Sequence, residues 1–170
     1  MVIWEKLHNS LSPSEGQVCD SDFEELRWAD TAFRRWYATW ATAFSQKYED
    51  AAFYRQSLQV QHLHAELFHN TVALRGINGP EDVENMPAVQ QDLAIRLIQI
   101  AQQRVNLTIT SPAYKEGLKC AVHYTHATAT FTASFLLRLA HLFLNECDTQ
   151  EIKHQVEHLA SLMADGRKSS

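Results

Sequence analysis

The chain has 170 residues, 45% hydrophobic and 21% charged, enough to bury one core and too apolar for a disordered segment. A formal charge of -5 excludes a surface built to neutralise phosphate backbones, because nonspecific nucleic-acid affinity comes from clustered Lys and Arg. Three scattered cysteines, Cys19, Cys120 and Cys147, make neither a disulfide framework nor a CxxC zinc pair, and point to a reducing compartment.

Residues 1–20 contain Pro13, Gly16 and several serines with little periodicity, and read as an irregular lead-in without the basic-then-apolar pattern of a secretory signal. Asp20, Ser21 and Asp22 offer N-caps to a first helix running to about Tyr48. Its apolar stripe is Leu26, Phe33, Tyr37, Trp40 and Phe44. A second helix is expected from about Ala51 to Leu74, with Val60, Leu63, Leu67, Thr71 and Leu74 inward and Gly76 placed to stop it. "NGPEDVENMP" reads as a turn-rich connector. A third amphipathic helix, about Ala88 to Val105, carries Val89, Leu93, Leu97 and Ile100 on one side and ends before "NLTITSP".

Ser111 as cap and Pro112 at the first helical position open a fourth helix expected to reach Leu144. Leu118, Val122, Thr125, Ala129, Leu136, Ala140 and Phe143 form one apolar stripe on it, and Tyr124, Phe131, Phe135 and Leu142 a second. A narrow polar wedge remains: Cys120, His123, Thr130, Ser134, Arg138 and His141. A helix apolar on most of its circumference belongs in the middle of a bundle; its Arg138, His141 and hydroxyls argue against a membrane span. Asp148 caps a fifth helix with Ile152, Val156, Leu159 and Met163 inward, and residues 166–170 fray. The expected architecture is all-α, an irregular bundle of about five helices around a long central one, with one domain over residues 21–165.

Two ExxH pairs invite a metal reading. Glu66 with His69 and Glu151 with His154, completed by Glu25 and Glu116, match in order the ligand set of di-iron four-helix bundles. That chemistry needs every ligand to face the core. With Val60, Leu63, Leu67 and Leu74 inward, Glu66 lies about 100° off centre and His69 nearly opposite, while His154 points away from Ile152 and Leu159. The same phase places His62 toward solvent and His64 near the apolar stripe. Cys120, His123 and His126 are rotated too far apart for one tetrahedral ion, Cys120 and His126 by about 120°. No GxSxG elbow, Cys–His arrangement or Gly-rich phosphate loop is present. No catalytic, cofactor-binding or metal residue is expected; the wedge at Cys120, His123, Ser134 and Arg138 is the one constellation placed to line a pocket.

The blocks "RRWYATWATAF", "HAELFHNTVALRG", "AVHYTHATATFTASFLLRLAHLF" and "DTQEIKHQVEHLASLMAD", in that order over residues 25–165, resemble the regulatory, or middle homology, region of fungal binuclear zinc-cluster transcription factors. The resemblance implies an α-helical, non-enzymatic nuclear regulator of RNA polymerase II transcription. It would act with protein partners, a DNA-binding half or a small effector. The family's DNA-binding module needs six closely spaced cysteines, so this chain is expected to hold no cofactor and to make no direct nucleic-acid contact of its own. Shortening of the family domain at Ser170 would bare apolar surface, for which the expectation is either a homodimer or poor solubility. The alternatives are a helical metal-dependent oxidase and a small-molecule sensor built on His123 and Arg138.

Overall fold

Local side-chain chemistry sets where the helices begin. The computed structural model describes residues 3, 5, 6, 18–47, 52–119 and 123–166, with side chains at all but 117–119, 123, 124, 165 and 166. Among the described residues there are seven α-helices, one 3-10 turn and no strand, so the fold is all-α. Helix α1, Asp20–Lys47, starts with the Asp22 carboxylate reaching back to accept the Cys19 backbone N–H at 3.0 Å. Of the three expected caps, Asp22 therefore acts from inside the first turn, with Cys19 ahead of it. Helix α2, Ala52–Asn70, tightens into a 3-10 turn at Thr71–Leu74, four residues earlier than expected, and Gly76 at φ +79° then turns the chain.

The connector contains a short helix α3, Pro80–Glu84, seeded by Asp82 Oδ2, which accepts the N–H of Asn78 at 2.8 Å and of Gly79 at 3.1 Å. Helix α4, Ala88–Thr110, runs through the "NLTIT" that was expected to end it. Burial of Val105, Thr108 and Ile109 holds these residues in the helix, where Thr108 and Thr110 satisfy their hydroxyls by donating to the carbonyls of Arg104 and Asn106. Ser111 caps helix α5, Pro112–Lys119, its hydroxyl accepting the Tyr114 N–H at 3.0 Å. Helix α6, His123–Leu142, follows, and residues 120–122 of the expected long helix lie outside the described residues. Asp148 Oδ1 accepts the N–H groups of Gln150 and Glu151 at 3.0 Å each and starts helix α7, Thr149–Gly166.

Helix α4 packs against α2, α5, α6 and α7 and shares the central place expected for the 112–144 segment. Its Ala94, Leu97, Ile98, Ile100, Ala101 and Val105 are buried, and the main core joins them to Leu67, Leu136, Leu139, Phe143, Ile152 and Leu159. Helix α6 gives that core Leu136 and Leu139 but leaves Thr130, Ser134, Arg138 and His141 exposed. A second, smaller apolar cluster of Leu26, Ala29, Phe33 and Ala65 fastens α1 to α2. The aromatic stripe of α1 is buried only at Leu26 and Phe33; Trp40, near the helix's far end, is 48% exposed. No described helix is long and apolar enough to cross a membrane.

Rotational phase on α6 is directly testable by equilibrium urea unfolding. Leu136→Ala should cost about 2–5 kcal/mol, as for other core leucines, and Arg138→Ala less than about 0.5 kcal/mol. Equal effects of the two substitutions would contradict the placement of this helix.

Candidate functional site: a cleft beside a buried charge cluster

Helix α2 is covered on two sides, by α1 as well as by α4, and this corrects the phase read from one apolar stripe. Glu66, expected about 100° off the inward face, and His69, expected on the solvated side, are buried at 7% and 3% exposure. His62, also expected in water, retains only 12% of its side-chain exposure. The second covered face is polar, so it left no hydrophobic signature.

These residues form one charge cluster with Asp30 and Arg34 of α1 and Arg96 of α4. Asp30 Oδ1 faces His69 Nε2 at 2.7 Å and accepts from Asn70 Nδ2 at 3.3 Å. Its other oxygen receives Arg96 Nη1 at 2.6 Å, while Arg96 Nη2 donates to Glu66 Oε1 at 3.2 Å. The planar guanidinium thus bridges carboxylates from two helices. Arg34 flanks both carboxylates at 3.6 and 3.7 Å, and His62 lies 3.7 Å from Glu66. His69 Nδ1 sits 2.7 Å from the Ala65 carbonyl, so both ring nitrogens face oxygens. Phe33 stacks on His69 and Tyr37 on His62, with ring centroids 5.3 and 4.8 Å apart.

Burial pushes the Asp30 carboxyl up. The His69 hydrogen bond, the charges of Arg96 and His69 and the Asn70 bond outweigh that, leaving it below the ordinary 3.8. Glu66 and His69 are thereby committed to protein partners, and Glu151 and His154 are exposed on α7, so the two ExxH pairs do not share an interior point. Among the described residues no group of three or more His, Cys, Asp or Glu is placed to hold a metal ion.

Next to this cluster lies a cleft of about 420 Å³, inside the size range of small-molecule sites. Ile3, Phe33, Trp36, Phe53, Val60 and Ala65 supply its apolar wall. Its polar groups are Ser57, Gln61, His64, Arg104, Tyr114, Thr125 and Thr128. Arg104 is 2% exposed and donates from Nη1 to the Thr128 carbonyl at 2.6 Å, joining α4 to α6. Tyr114 is 4% exposed and stacks on Phe53, which fixes its ring against α2. Ser111, which caps α5, also hydrogen-bonds Gln56 of α2 and holds that helix start against the cleft.

Burial, helped by the charge of Arg104, lowers His64 from the ordinary imidazole value of 6.5 to about 4. Its ring is therefore neutral at neutral pH, and its Nδ1 is buried without a hydrogen-bond partner. Burial pushes the Tyr114 phenol up, against the opposing pull of Arg104, so it stays an O–H donor.

The cleft is not where the sequence placed a pocket. Ser134 and Arg138 of the expected wedge are exposed, the Cys120 position and the His123 side chain lie outside the described residues, and α6 reaches the cleft through Thr125 and Thr128 instead. Among the described side chains, His64 is the one histidine weighed from sequence that lines it. Arg104 and Asp30 were missed, although both carry a signal. Arg104 continues the 89, 93, 97, 100 spacing of the α4 stripe, and Asp30 falls between Leu26 and Phe33 on the stripe of α1. A charge in apolar phase marks a buried ion pair or a site. No protein-family model, curated protein or solved structure matches this chain.

Two measurements follow from the charge cluster and its neighbour. Asp30→Asn leaves Arg96 and His69 without their shared anion and should lower stability by about 3 kcal/mol, read by urea unfolding; a loss under about 0.5 kcal/mol would contradict the cluster's role. The pH profile should fall in two stages. His64 binds its proton at about 4 when folded and near 6.5 when unfolded, so the unfolded chain takes up more protons between these values and stability drops as pH falls from 6.5 to 4. Asp30 has the folded value below the unfolded 3.8, so its contribution is present above that pH and is lost as pH falls through and below it. Burial also lowers His62 below 6.5, so it adds to the first stage; His64→Gln should shrink that stage and leave the second, as followed by thermal melts from pH 7.5 to 3.

Proposed function

We propose that this chain is a helical regulatory domain that recognises a small effector in the cleft between α1, α2, α4, α5 and α6. The observation that carries the reading is the composition of that cleft: aromatic walls around a buried guanidinium, a neutral imidazole and a buried phenol. Five helices contribute to it, so an occupant changes how they pack against one another. A ligand that prefers one packing shifts the population toward it, which is the physical requirement for a regulatory output.

The catalytic alternative is less well supported, because the most densely contacted imidazole, His69, has both nitrogens engaged with protein oxygens. The ordered sequence blocks support a place for the domain in the control of RNA polymerase II transcription, in the nucleus, with DNA contacts made by another module. The outward aromatic side chains Phe68 and Phe131, bridged by His64, support contact with a protein partner as the output.

A reporter assay tests this reading. The chain is fused to an unrelated DNA-binding module in a fungal host and compared with that module alone and with a fusion carrying Ser57→Phe, which fills the cleft. The fusion should change reporter output at least severalfold, and Ser57→Phe should remove that change without lowering protein abundance. Output equal to that of the module alone, or unaffected by cleft filling, would overturn the assignment.

A further inference from the structure

The rotation that turns His154 away from the core side of α7 brings it into line with His158. Both imidazoles are exposed, on a helix anchored from its other face by Ile152 and Leu159, which are 0% and 2% exposed. Residues four apart on an α-helix differ by about 40° of rotation and about 6 Å of rise, which puts their Cβ atoms on one face about 5–6 Å apart. One ion fits between two imidazoles in that relation, as in helices that hold zinc through histidines at i and i+4. The stretch His154-Gln155-Val156-Glu157-His158 has that spacing, with a carboxylate inside it.

Charge around the pair favours a cation. Glu151 and Glu157 are exposed within one turn of His154, one on either side of it in the chain. Lys153 reaches Glu157 only at 3.9 Å, with 66% and 64% of the two side chains exposed, a contact too loose to neutralise that carboxylate. Uncharged imidazole nitrogen suits zinc, copper and nickel, whereas magnesium and calcium take oxygen ligands. We propose that His154 and His158 chelate a divalent transition cation of the zinc, copper and nickel class, with water in its remaining positions. Zinc sites that fold a protein supply four protein ligands, so a site with two holds its ion exchangeably. The ion bridges one turn of α7 and binds the helical form in preference to the unfolded chain, so it stabilises the packing of Ile152 and Leu159 onto the core.

The test titrates the full chain with Zn²⁺ alone by calorimetry at pH 7.5, with Mg²⁺ as the oxygen-seeking control. The unaltered chain should bind Zn²⁺ and not Mg²⁺. His154→Gln and His158→Gln should each weaken the tightest Zn²⁺ site at least about tenfold. Zn²⁺ should raise the thermal midpoint of the unaltered chain but not that of either variant. Both substitutions fall at exposed positions, so the variants keep the fold. A variant joining His158→Gln to Ser161→His keeps the number of histidines but separates the pair by seven residues, about 10 Å along the axis and too far for one ion. It should bind as weakly as His158→Gln. Affinity unchanged in either single variant, or regained with Ser161→His, would overturn the proposal and identify zinc held adventitiously elsewhere on the surface. No Zn²⁺ binding by the unaltered chain would overturn it outright.

Discussion

The carboxylate of Asp30, buried between α1 and α2, is the contact on which the rest of this structure depends. It receives His69 and Asn70 from α2 and Arg96 from α4, so one side chain joins three helices. Burying a charge is expensive unless oppositely charged donors surround it, and here they do from two directions. Breadth of hydrophobic contact alone would let α1 slide or rotate on the small cluster of Leu26, Ala29, Phe33 and Ala65. Charge-assisted bonds with fixed directions specify a single register.

That register has consequences beyond stability. Phe33 stacks on His69 within the cluster and also lines the cleft, so it mechanically couples the two. Ala65 does the same from α2, its carbonyl engaged by His69 and its methyl in the cleft wall. The wall nearest the charge cluster is therefore held rigidly. On the opposite wall Arg104 donates to the Thr128 carbonyl at 2.6 Å and ties α4 to α6.

Much of the fold was legible in the chain itself. Ser111 before Pro112 and Asp148 before the last helix both act as caps, because capping is local and needs no knowledge of neighbours. The extension of α4 to Thr110 was harder to read, since "NLTIT" has weak helix propensity and is kept helical by burial of Val105, Thr108 and Ile109. The candidate site was the least legible part. An apolar stripe marks one face per helix, and α2 has two covered faces, one of them polar, so the stripe leaves Glu66 about 100° off centre and puts His62 and His69 toward water. Arg104 and Asp30 sat in apolar register and would have been found by asking which charges break a stripe. What no single-chain pattern supplies is which helices bring such charges together, because that is decided by packing between elements distant in sequence.

A double-mutant cycle between Asp30 and His69, using Asp30→Asn and His69→Gln and their combination under equilibrium unfolding, tests the central claim most directly. The account predicts a coupling energy of about 2 kcal/mol, with the double variant far less destabilised than the sum of the two single variants. Additive effects, with coupling below about 0.5 kcal/mol, would mean that the buried Asp30–His69 contact does not organise α1 against α2, and the cleft would lose that support.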